Sequence, residues 1–181
     1  MFRHFKPEED LGQQQACKSS AVRAIKQSLG AVYPSAEPYL DALLPKKEGV
    51  AEVKGKDKAS FIVLDGVPLF FRARDGPYFP TLRVLHAFPD MMPRVTVDAG
   101  GTKFIVKGAD VMCPGLTSAG GSLPAGLPAG CPVAIYAQGK EHALGVGVLK
   151  MSADDIRKVN KGPAVETLHH LGDDLWLHPT F

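Results

Sequence analysis

The stretch VTVDAGGTKFIVKGADVMCPGLTSAGG, Val95 to Gly121, decides how this chain is read. Val95 and Val97 alternate with polar residues, as a short strand does. The glycine pair Gly100-Gly101 follows, and Phe104, Ile105 and Val106 supply the apolar stripe of a helix. Gly108 then leads into a second strand, Asp110 to Met112, which stops at Pro114-Gly115. The glycine-flanked turns let backbone come close to whatever lies outside. Lys103 and Lys107, four apart, place two cations beside them. Together these features predict a surface that holds a phosphate backbone. The stretch contains no catalytic group.

Outward from it, Val133 to Ala137 and His142 to Met151, with its small-residue run ALGVGVLKM, predict further strands. A helix starts from Ser152, Lys161-Gly162 makes a turn, and Asp174-Leu175-Trp176 closes the chain. In this order the motif V-x-V-D-x-G, then K-G-A-D-V-M-x-P-G-L, resembles the opening strand, helix and second strand of a PUA domain. That RNA-binding module is named after pseudouridine synthase and archaeosine transglycosylase. The resemblance implies that RNA docks on the first helix, the glycine loop with the second strand, and a late strand. On this chain those are Thr102, Lys103, Lys107, Gly108, Ala109, Pro114 and Gly115, with Leu175-Trp176-Leu177 nearby. Read from the residues alone, the two lysines equally suit an ordinary helix surface and the glycines ordinary turns. Trp176, the single tryptophan, reads as a core plug.

The chain has 181 residues and 45% apolar content, enough for two small domains with a core each. Its net charge of +2 excludes a polybasic surface. Residues 1–91 carry 13 basic and 11 acidic groups and residues 92–181 carry 8 and 8, so any RNA contact must be a local patch. Cys17, Cys113 and Cys131 show no metal-ligand spacing and read as reduced thiols. No stretch is long and apolar enough for a bilayer, and MFRHFKPEED has no signal-peptide pattern. A soluble, cytoplasmic protein is expected.

In the first half, Lys18 to Gly30 predicts a helix capped by Ser19 or Ser20 and stopped by Gly30, with Val22, Ile25 and Leu29 on one face. Ser35 would cap a second helix carrying Tyr39, Leu40, Leu43 and Leu44, ended by Pro45. Lys46, Lys47, Lys54, Lys56 and Lys58 surround a strand near Val50 to Val53. FIVLDGVPLFF reads as a hairpin on Asp65-Gly66, with an edge at Pro68. Thr81 would cap a helix through Ala87, with Leu82 and Leu85 inward. Phe70, Phe71, Tyr78 and Phe79 exceed what a small core needs. With Arg72 and Arg74 they have the composition of a partner-binding hot spot. DMMPR, residues 90–94, is a boundary too short and apolar for a free tether, so the domains 1–91 and 92–181 should pack together. Residues 117–130, rich in Gly, Pro, Ser and Ala, read as an exposed, mobile loop.

Met1-Phe2 with Phe5, Leu44-Pro45-Lys46-Lys47, LFFRARDGPYFPTLRVLHAFP and MCPGLTS together resemble the malignant-T-cell-amplified-sequence family across the chain. The resemblance implies an α+β protein: a small α/β pre-PUA domain before a PUA pseudo-barrel of six strands and two helices. It implies a factor of the small ribosomal subunit that pairs with the density-regulated protein. That pair would contact rRNA and act on deacylated tRNA and mRNA after termination, supporting reinitiation. No cofactor or metal is expected, and neither membrane nor DNA as a partner. An enzyme is not expected either, because P-loop, GxSxG and HExxH motifs are missing and Cys113 has no evident base. His169 and His170, adjacent on a strand, would face opposite ways and so not share a metal. The alternative is an RNA-binding adaptor in tRNA or snoRNA processing.

Overall fold

The computed structural model of the chain describes residues 1–45 and 49–181; Lys46 and Lys47 of the expected basic run lie outside them. His4–Met91 and Leu177–Phe181 form one unit, and Met92–Trp176 and Met1–Arg3 the other. Each unit therefore takes in a short segment from the opposite terminus, which a simple division at residue 91 does not provide.

The first unit is a fully antiparallel sheet in the order β1 (Leu11–Ala16), β2 (Val50–Gly55), β3 (Ala59–Leu64), β4 (Val67–Ala73), β5 (Phe79–Pro80). Its helices are α1 (Pro7–Asp10), α2 (Ser19–Val32), α3 (Leu40–Leu43) and α4 (Leu82–Ala87), with a 3-10 turn at Pro34–Tyr39. Asp65 and Gly66, at φ 48° and 80°, make the expected two-residue hairpin between Leu64 and Val67. β4 is an interior strand, so the edge expected at Pro68 is only local: β5 pairs with Phe70 and Phe71 alone. Opposite Pro68 the β3 register shifts, which absorbs the missing N–H.

Several helix limits differ from the sequence reading. α2 runs past Gly30 to Val32 and Pro34 follows it; Lys18 stands at its start without a side-chain cap. A glycine near a helix end costs about 1 kcal/mol and does not by itself stop it. Ser35 caps nothing, because it lies inside the 3-10 turn. Thr81 precedes α4, but its hydroxyl donates to the Pro68 carbonyl at 3.1 Å rather than closing the helix.

The four aromatics expected at a partner surface, Phe70, Phe71, Tyr78 and Phe79, are all buried in this unit's own core. β3 and β4 are covered on both faces, hence their unbroken apolar runs. Phe5 and Phe181 cover Phe61, with ring centroids 5.6 and 5.2 Å away. Tyr33 donates to the Tyr78 carbonyl at 2.9 Å within the core. Of the six residues expected at that surface, Arg74 alone is fully exposed.

The second unit curls a mixed sheet in the order β6 (Arg94–Val97), β8 (Pro132–Ala137), β9 (Gly145–Leu149), β10 (Pro163–His170), β7 (Val111–Met112). β6 runs parallel to β8 and the other pairs are antiparallel. The helices are α5 (Ala99–Ile105), α6 (Cys113–Thr117), α7 (Ala153–Val159) and α8 (Asp174–Leu177). Five strands replace the six expected, since beyond them residues 117–130 add a single bridge, Thr96 to Ser122. That loop is held rather than loose: Leu123 and Leu127 pack on the core, and Ala153 N donates to Leu127 O at 2.8 Å. Gly130 N likewise donates to Leu149 O, at 2.7 Å. Pro114-Gly115 does not end the segment but forms the first turn of α6, where proline is tolerated.

The burial of the β4 aromatics gives a direct expectation. Phe70→Ala should cost about 3–5 kcal/mol in urea unfolding followed by circular dichroism, as buried Phe truncations do. Arg74→Ala should stay within about 0.5 kcal/mol. A near-neutral Phe70→Ala would contradict the packing described.

Candidate nucleic-acid interface

Helix α5 begins at Asp98, whose carboxylate accepts the Gly101 amide at 2.7 Å. Thr102 Oγ1 donates to the Asp98 carbonyl at 3.1 Å, tightening the same turn. The glycine pair thus forms the first helical turn instead of preceding the helix. A β-carbon at Gly101 would run into Val97 Cγ1, so glycine is what lets α5 lie directly on the end of β6.

The helix closes on Gly108, at φ 78°. Gly108 N donates to Ile105 O at 2.8 Å and Ala109 N to Phe104 O at 3.1 Å, the paired bonds of a Schellman end. Of the three apolar residues expected to share a face, only Ile105 is buried. Phe104 is 55% exposed and Val106 41%. Successive helical residues point about 100° apart, so three in a row cannot all face a core.

Between α5 and the outer strand β7 lies a groove of about 510 Å³. Its walls are Gly100, Gly101, Phe104, Ile105, Ala109, Val111, Met112 and Gly115, with Val97, Asp98 and Asp110. Met112 is 50% exposed, matching Phe104 across the opening. Lys103 stands exposed on the last turn of α5 and Lys107 just beyond its end, and the Lys103 ammonium lies 5.1 Å from the Phe104 ring centroid. Asp110 is occupied by the Thr167 amide at 3.1 Å and by Lys150 at 3.7 Å. The site is thus mainly apolar, with two exposed cations on and just beyond the end of α5. That arrangement suits the face of a flat heterocycle, with its phosphates kept outside.

Of the seven residues expected to touch RNA, Ala109 and Gly115 line the groove. Ala109 O also accepts Thr167 Oγ1 at 2.9 Å, and Gly115 O the Asp98 amide at 2.9 Å. Lys103, Lys107 and Gly108 stand at the end of α5; Thr102 serves the helix start, and Pro114 is exposed on α6. Phe104, Met112, Asp98 and Asp110 line it as well; the sequence reading places Phe104 on an apolar helix stripe and Met112 at a strand end and gives none of the four a contact. In the other unit, Arg72 donates to Ser60 Oγ at 2.7 Å, pairs with Glu52 at 3.3 Å and lies over the Tyr78 ring.

Burial pushes the Cys113 thiol up, and it donates to the Lys161 carbonyl at 3.4 Å. Among the described residues no three of His, Cys, Asp and Glu stand together to hold a metal. His169 Nδ1 meets the Asp173 carboxylate at 2.8 and 3.0 Å, both groups buried. Asp173 also accepts the amides of His170 and Trp176, at 3.0 and 2.9 Å, which builds the α8 turn. Trp176 itself is only half-buried; Leu175 is the residue that α8 inserts. Burial lowers the His169 pKa, against the pull of Asp173. The Asp173 carboxyl is raised by burial but more than offset by His169 and the two amides, and ends below its ordinary value.

The curled sheet, the glycine-seated helix and the groove between them define a PUA-domain protein. The PUA domain model matches residues 93–171, and a Pre-PUA-like domain model matches residues 5–89. The chain belongs to the Malignant T-cell-amplified sequence family. It is 45% identical to Malignant T-cell-amplified sequence 1-A of Xenopus laevis, over 100% of this chain and 99% of the relative. It is 44% identical to translation machinery-associated protein 20 of Saccharomyces cerevisiae, over 97% of each. Among solved structures, a hypothetical protein from Pyrococcus horikoshii superposes with a TM-score of 0.72 at 26% identity, covering 91% of this chain and 98% of that one. A PUA domain protein from Thermoplasma acidophilum, at 21% identity and a TM-score of 0.67, shares the fold. No helix among the described residues is long and apolar enough to cross a membrane.

The buried pair sets the acid limit of this unit. A folded His169 that stays neutral below the ordinary histidine value of about 6.5 loses stability as pH falls through that value, because only the unfolded chain takes the proton. Asp173, depressed in the fold, adds a second loss at lower pH, when the native carboxylate is finally protonated. Melting temperature should therefore fall steadily from pH 7 to pH 4. His169→Gln, though less stable at pH 7, should show a flatter fall between pH 7 and 5. Parallel curves for the two proteins would contradict this account.

Proposed function

We propose that this protein is a non-enzymatic RNA-binding translation factor. It acts on the small ribosomal subunit as a heterodimer with a density-regulated-protein partner. The pair promotes release of deacylated tRNA and mRNA after termination and supports reinitiation in the cytoplasm. The observation that carries the RNA reading is the groove itself. Exposed Phe104 and Met112 flank apolar walls, and Lys103 and Lys107 stand at the edge without a carboxylate partner among the described residues. A water-exposed Phe and Met have no packing reason to be there, whereas a stacked base covers both. The family relationship over the full chain, and the name of the yeast relative, support placing that RNA in the translation machinery.

The partner is assigned to the N-terminal unit. Its contact begins at the exposed Arg74 end of β4 and the half-buried Arg72, since Phe70, Phe71, Tyr78 and Phe79 are already used by the core. Arg72, paired with Glu52, contributes less free charge than its sequence position suggests.

Replacing Lys103 and Lys107 by Glu tests the reading. Binding to purified small subunits should weaken, and the slope of log affinity against log salt should flatten by about 1.5, roughly 0.7–0.9 per phosphate contact. Capture of the density-regulated protein should persist in the same variant. An unchanged salt slope would move the RNA to another surface of the molecule.

A further inference from the structure

The first three residues fold with the C-terminal unit, about ninety residues from it along the sequence. The Phe2 side chain is only 4% exposed. Its ring stands edge-on to His169 at 6.0 Å, and its carbonyl accepts the Asp174 amide at 3.1 Å. Held at that point, the chain brings Arg3 to the end of α5. Arg3 is exposed, and its Nη2 donates to the carbonyl of Lys107. The guanidinium lies against Gly108: a β-carbon there would sit 2.9 Å from Nη2 and 3.1 Å from Nε. His170 Nε2 lies closer still, 2.7 Å from that position, so the guanidinium rests beside the bare glycine and the His170 ring.

Holding an arginine this way leaves most of its capacity unused. A guanidinium has five N–H donors, and the Lys107 carbonyl takes one. Lys6, Lys26, Lys56, Arg72, Lys150 and Arg157 each pair with a carboxylate. Arg3 pairs with none among the described residues. A planar fork already fixed by one bond loses little freedom on engaging a second, bidentate acceptor. An anionic acceptor from solvent suits an exposed cation that stands beside the end of α5.

We infer that Arg3 is a phosphate-contacting residue of the RNA site and that Phe2 positions it. The guanidinium engages a phosphate next to those neutralised by Lys103 and Lys107, so the strand outside the groove is gripped by three cations drawn from two separate segments of the unit. This inference rests on the RNA reading of the groove given above.

The test titrates a short, labelled, mixed-sequence single-stranded RNA with the full chain at several salt concentrations. Arg3→Ala, Arg3→Lys and the Lys103→Glu/Lys107→Glu pair are compared with the parent. Arg3→Ala should flatten the salt slope by roughly 0.7 and weaken binding about fivefold near 0.1 M salt, with the parent's melting curve. Arg3→Lys should restore the slope but only part of the affinity, because an ammonium cannot hold the Lys107 carbonyl and a bidentate phosphate together. A parent slope in Arg3→Ala alongside a flattened slope in the lysine pair would make Arg3 a structural clasp only, overturning the assignment. A parent slope in both would overturn the assignment and the RNA reading beneath it.

Discussion

The seat of α5 on β6 is the contact on which the C-terminal unit's surface depends. Val97 Cγ1 occupies the space where any β-carbon at residue 101 would stand, and the Asp98 cap fixes the helix start on the same glycine. Raising the helix to admit a side chain would move Phe104 relative to Met112 and remove the walls of the groove. Interiors are packed closely enough that such a shift does not stay local. The Schellman end at Gly108 fixes the other limit of the helix, so both its length and its height above the sheet are specified by two glycines. The positions of Lys103 and Lys107 follow from those two constraints.

Charge in this molecule is arranged rather than abundant. With a net charge of +2, long-range attraction to RNA is weak, and affinity must come from a few cations placed where no carboxylate answers them. The acidic groups near the groove are spent internally: Asp98 on the helix cap, Asp110 on Thr167 and Lys150. Asp173, one turn from the Phe2 anchor, is committed to His169 and two amides. The N-terminal unit shows the opposite economy. Most of its aromatics are consumed by a sheet covered on both faces, and Arg74 stands exposed at the end of β4.

Much of the fold was legible in the sequence because its punctuation is strong. Asp65-Gly66 with flanking β-branched and aromatic residues marked the hairpin, and Ser152 marked α7, which it caps through the Asp155 amide at 3.1 Å. β1 was not legible: Leu11–Ala16 is exposed and polar, and its pairing to β2 comes from backbone bonds with no hydrophobic alternation to announce them. The site was read only in part. Lys103, Lys107, Ala109 and Gly115 carry charge or turn chemistry that sequence displays. Phe104 and Met112 do not, since an apolar residue on a surface looks identical in sequence to one in a core. Arg3 was beyond reach, because its place rests on a contact with Lys107 more than a hundred residues away.

The central claim is that a base enters the groove between α5 and β7. Photo-crosslinking tests it most directly: a single-stranded RNA carrying 4-thiouridine, irradiated with the 181-residue chain and mapped by mass spectrometry. The account predicts adducts concentrated on Phe104 and Met112, diminished when Phe104 is replaced by Asp. Adducts spread over the N-terminal unit, with none between residues 97 and 115, would contradict it.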